Sequence, residues 1–66
     1  MRKPERLDEF YKELCRIHKE YLADWRFGQF IFNLIAEIGD PFYYEEDKMI
    51  EVIKKYVSDI TGKEVK

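Results

Sequence analysis

Residues 25–38 read WRFGQFIFNLIAEI, and the way this stretch folds decides what the rest of the chain can be. Phe27, Phe30, Ile31, Leu34, Ile35 and Ile38 recur at three- and four-residue steps, the spacing of one face of an α-helix. Trp25 and Phe32, seven residues apart, add a second apolar flank with Gly28 and Ala36 beside it, leaving Arg26, Gln29, Asn33 and Glu37 as the polar stripe. A helix that is apolar around most of its circumference is covered on more than one side. This predicts that the segment is the central helix of a bundle or that it contacts a partner. Asp24 is placed to cap its start, and Gly39 supplies a left-handed stop.

Working outward, both neighbouring segments read as one-faced amphipathic helices. Upstream, Pro4 suits a first helical turn and Glu5, Asp8 and Glu9 complement the positive end of the helix dipole. Leu7, Phe10, Tyr11, Leu14, Ile17, His18, Tyr21 and Leu22 then form the apolar stripe. Opposite it, Asp8 with Lys12 and Arg16 with Glu20 stand four apart on a solvated face. Downstream, Glu45, Glu46 and Asp47 open a helix whose stripe is Met49, Ile50, Ile53, Tyr56, Val57 and Ile60, with Gly62 ending it and Glu51 four residues or fewer from Lys54 and Lys55. No segment shows the two-residue alternation of a half-buried strand, and no repeat is present. The expected fold is an all-α three-helix bundle, one domain over residues 1–66, with helices at approximately 4–23, 25–38 and 45–61.

Composition narrows the function. Hydrophobic residues make up 45% of the chain and aromatics 17%, a globular rather than a disordered balance, and the 39% of charged residues nearly cancel to a net charge of -2. That is neither the basic excess of a nucleic-acid binder nor the strong acidity of a DNA mimic. Cys15 is the only cysteine, which excludes an intramolecular disulfide and points to a reducing cytoplasm. The basic N-terminal residues are followed by no long apolar run, so a soluble protein without a signal peptide or membrane span is expected.

The joint DPFYYEED, residues 40–47, sets three consecutive aromatics against four carboxylates. As structure, Asp40-Pro41 ends the middle helix, Phe42 and at least one tyrosine plug the end of the bundle, and the acids satisfy the N-terminus of the last helix. As a docking surface, Tyr43, Tyr44 and Glu45 would join Trp25 and Phe32 as partner-binding residues. The joint lacks the spacing of a calcium loop, and Cys15 with His18 supplies two of the roughly four ligands a structural zinc needs, so no metal, cofactor or catalytic residue is expected. His18 reads instead as a core-edge histidine bonded to a carboxylate or carbonyl. A helix-turn-helix regulator of nucleic acid is the alternative function, but its recognition helix would begin with Glu45, Glu46 and Asp47, where phosphate contacts belong.

The run Asp24-Trp25-Arg26-Phe27-Gly28-Gln29, followed by Asp40-Pro41-Phe42-Tyr43 and an acidic last helix, resembles a family of short uncharacterised bacterial and phage-associated proteins with D-x-R-x-x-Q and D-P-F-Y segments. The resemblance spans residues 24 to 53. It implies a small all-helical domain and brings no reaction, ligand or cofactor. It marks Arg26, Gln29 and Asp40 as structural polar positions, expected to bond the start of the middle helix to the joint. The function expected is a cytoplasmic protein-interaction module, possible as a homodimer through the Trp25–Phe32 flank and of phage or mobile-element origin.

Overall fold

The computed structural model describes residues 2–66, which form three helices: α1 (Arg6–Tyr21), α2 (Phe27–Ile38) and α3 (Glu46–Thr61). The all-α three-helix bundle expected from periodicity is what the chain forms, with no strand among the described residues. Arg6 pairs with Glu46 and Glu13 with Lys54, so both partners advance together and α1 runs parallel to α3. α2 returns between them, its first turns beside the C-terminal end of α1, where the His18 and Phe30 rings meet edge-on at 5.2 Å. By backbone distance α3 approaches each of its neighbours more closely than they approach each other, while α1 and α2 meet through side chains.

Both connections are set by local bonds that helical periodicity does not encode. α1 stops when Leu22 leaves helical geometry (φ -134°, ψ 40°) and buries its side chain, while the Trp25 N–H donates to the Leu22 carbonyl at 3.0 Å. His18 Nε2–H donates to the Trp25 carbonyl at 2.7 Å, so the histidine is the carbonyl-bonded, part-buried group its position suggested. This holds Trp25 outside the helix. α2 therefore begins at Phe27 after an extended Arg26, and Asp24 is exposed and caps nothing.

At the other joint, Gly39 adopts φ 83° and donates its N–H to Ile35, and Asp40 Oδ1 accepts from the Phe42 N–H at 2.9 Å. The Tyr44 N–H closes the turn on the Pro41 carbonyl at 3.0 Å. Phe42 and Tyr43 are its two central residues, and their side chains point out of it. They are 77% and 87% exposed, packed edge-to-face on each other at 4.9 Å. The expected plug is thus absent: neither ring enters the core, and Tyr44 is only better covered, at 37% exposed. Phe42→Ala should accordingly change stability by less than about 0.5 kcal/mol, seen as an unmoved thermal transition.

The core consists of Ile17, Leu22, Phe30, Leu34, Ile53, Tyr56, Val57 and Val65, with Phe10, Leu14, Tyr21, Trp25, Ile31, Ile38, Met49 and Ile50 packed around it. Val65 belongs to the segment after α3. Gly62, in left-handed geometry (φ 71°, ψ 12°), reverses the chain. The Val65 N–H then donates to Ser58 Oγ at 3.0 Å, the Tyr21 hydroxyl reaches the Glu64 carbonyl at 3.4 Å, and Arg16 donates to the Lys66 carbonyl. The tail is tied to both parallel helices.

Ion pairs reinforce the α1–α3 seam. Arg2 forks onto Glu45, Arg6 Nε meets Glu46 at 2.6 Å, and Lys54 reaches Glu13, which Arg16 also binds. The acids that were expected to cap α3 are instead largely drawn into these pairs, for no side chain caps its N-terminus. Lys54 and Lys55 likewise choose Glu13 and Asp59 rather than Glu51. The hydrogen bonds from Arg16 to Glu13 and from Arg2 to Glu45 hold both carboxyls below the usual glutamate range. A carboxyl with a depressed folded-state pKa contributes stability that is complete above its unfolded value and is lost as pH falls through the folded one. Melting temperatures should therefore hold steady from neutral pH down to about pH 5 and then fall through pH 4 and 3. The decline should be modest, since the pairs are solvent-exposed and screened.

Candidate interaction surface

α2 contributes two adjoining rows of side chains to the outside of the bundle. With 3.6 residues per turn, residues four apart form a row along a helix. Phe30, Leu34 and Ile38 are the row turned inward. Phe27, Ile31 and Ile35 form a second row, of which Phe27 is 55% and Ile35 42% exposed. Gly28, Phe32 and Ala36 form a third, wholly exposed, with Phe32 at 74%. The sequence assigned Phe27 and Ile35 to the core face. They stand outside it because the inward row already fills the space between α1 and α3.

Glu37 is the only ionisable residue in α2, so this outer face is uncharged as well as apolar. It extends onto α1, where Tyr11, 59% exposed, flanks with Phe27 an apolar crevice of about 190 Å³ floored by Leu14, Phe30 and Ile53. Scattered exposed apolar residues are ordinary, and this face is a candidate because Phe27, Phe32 and Ile35 stand exposed together along one side of a single helix.

The residues expected to bind a partner are divided by the structure. Phe32 is at the centre of the exposed face. Trp25 is half-buried against the core, with its carbonyl taken by His18, so the two do not form the shared flank the seven-residue spacing suggested. Tyr43 is presented with Phe42 on the turn following α2, Tyr44 is half-covered, and Glu45 is engaged by Arg2. Arg26 and Gln29 are exposed, and among the described residues neither bonds Asp40, whose carboxylate serves its own turn instead. The sequence passed over Phe27, Ile35 and Tyr11 because their spacing fits an inward face equally well. The signal that could have singled them out is the near absence of charge from residues 27–38.

A second concavity, about 690 Å³, opens between α1 and α3 and is lined by Glu9, Glu13, Glu45, Glu46 and Asp47 with Arg6, Phe10 and Ile50. Most of these carboxylates are matched to arginine or lysine within the chain. No group of three or more histidine, cysteine or acidic residues among the described residues is arranged to hold a metal ion, and no described helix is long and apolar enough to cross a membrane. Compared with protein-family models, with curated proteins and with solved structures, the chain matches none.

Proposed function

We propose that this chain is a small cytoplasmic protein-binding module that docks through the outer face of α2. One observation carries the reading: Phe32 stands 74% exposed at the middle of a helix with a single ionisable residue, flanked by Phe27 and Ile35. A soluble helix this apolar on its outer side gains by being covered, and exposed aromatics on a rigid element are the usual anchors of protein interfaces. Phe42 and Tyr43, projecting from the next turn, offer further aromatic contact. The resemblance carried by the Asp24–Gln29 and Asp40–Tyr43 segments favours a place among short bacterial and phage-associated proteins.

The acidic start of α3, beside Glu9 and Glu13, weighs against the nucleic-acid alternative, since phosphates there would meet carboxylates. Affinity capture from the native host with wild type and Phe32→Lys tests the proposal. Protein retained by wild type and released by the variant is the expected result. Retention of nucleic acid instead, with steep loss as salt rises, would overturn it.

A further inference from the structure

Resting on the docking role of α2, we propose that the partner covering this face is a second copy of the same chain, bound about a two-fold axis that passes beside Phe32. Three observations identify the occupant. The first is pattern. Gly28, Phe32 and Ala36 form one exposed row with the large residue midway between two small ones. When two such rows cross antiparallel, each Phe32 lies against its symmetry mate, and Gly28 of one copy falls opposite Ala36 of the other. The small positions on either side of each ring leave room for the two rings to pack on each other and for the helices to approach. The arrangement is self-complementary, which a two-fold interface requires.

The second is area. Taking roughly 200 Å² for a fully exposed large apolar residue, the exposed parts of Phe27, Phe32, Ile35 and Tyr11 amount to about 450 Å² per copy. A standard interface covers about 800 Å² per partner, somewhat more than half of it apolar, so the patch matches one side of such a contact. The third is charge. Glu37 is the one ionisable residue of α2 and lies outside the exposed rows, so this face carries no charge to select an oppositely charged surface. The same neutral face on a second copy meets it with no charge left unpaired.

Sedimentation equilibrium of the full chain, from low to several hundred micromolar, tests this with two variants. Wild type should form a concentration-dependent dimer. Phe32→Lys sets two ammonium groups against each other at the axis and should weaken the dimer by roughly thirtyfold or more, with helix content by circular dichroism unchanged. Gly28→Leu fills the socket from the other side. A Cβ at Gly28 meets nothing within 4 Å, so the monomer fold should tolerate it while dimerisation weakens by roughly tenfold. A wild type that stays monomeric throughout would overturn the second-copy assignment alone, leaving the docking face to the host-capture test. A dimer unaffected by both variants would overturn it too, and would remove α2 from the interface.

Discussion

Replacing Phe30 with alanine is expected to cost about 3–5 kcal/mol, the loss typical of removing a fully buried phenylalanine ring. Phe30 is 1% exposed, sits midway along the inward row of α2, and meets His18 edge-on at 5.2 Å. Leu34, Ile53 and Ile17 belong to the same buried cluster, and removing the ring leaves a cavity in it. A domain of this length has roughly 3–10 kcal/mol of total stability, so the variant should be largely unfolded at room temperature or melt tens of degrees lower. Phe32→Ala provides the contrast on the same helix. Its ring is 74% exposed, and its removal should move the monomer transition by no more than a few degrees. Thermal unfolding by circular dichroism at low concentration compares the two. Equal losses would mean that α2 is rotated from the orientation described.

Those two variants probe the orientation of α2, which sequence pattern does not fix. α1 and α3 each carry a single apolar stripe between charged residues, so their existence and inward faces are readable from spacing alone, apart from Tyr11 and Ile60 at the margins. In α2 the apolar residues surround the helix, and the rows Phe30-Leu34-Ile38 and Phe27-Ile31-Ile35 satisfy the same periodicity. Which one turns inward depends on how closely α3 approaches, a tertiary quantity. Helix ends were displaced for a related reason. Trp25 fits a helical pattern, but its carbonyl is claimed by His18 from another element, and α2 starts two residues later.

The joint shows the division between local and global information most clearly. Its turn chemistry follows from Asp40 and Pro41 within a few residues, and the Asx-type bond and closing backbone bond are both present. The direction of the aromatic side chains does not follow from composition. Central turn positions project away from the chain reversal, and hydrophobic character alone cannot bring Phe42 back across it. The seam pairs Arg2–Glu45, Arg6–Glu46 and Glu13–Lys54 are equally invisible to local spacing, because they exist only once α1 and α3 lie parallel.

Val65→Asp should cost about 2 kcal/mol, a large effect for a residue in a terminal segment with no helical periodicity to announce it. The sequence TGKEVK offers a single apolar residue, too little for a pattern, yet Val65 is 8% exposed and part of the core. A carboxylate cannot remain in that position unpaired, so the tail should release rather than bury it. Release removes Val65 from the core, parts the Tyr21 hydroxyl from the Glu64 carbonyl, frees the Ser58 hydroxyl, and takes the Lys66 carbonyl from Arg16. The regained freedom of the residues after Gly62 offsets part of the loss, which is why the estimate stays below that for Phe30. Ser58→Ala separates the contributions, since it removes the acceptor for the Val65 N–H while leaving the apolar contact, and should cost about 1 kcal/mol. Hydrogen exchange reads the outcome directly. In the wild type the Val65 amide should be protected, and in Val65→Asp it should exchange freely while amides in the middle of α3 stay slow. A Val65 amide that exchanges at the free-chain rate in the wild type would mean that the tail does not dock.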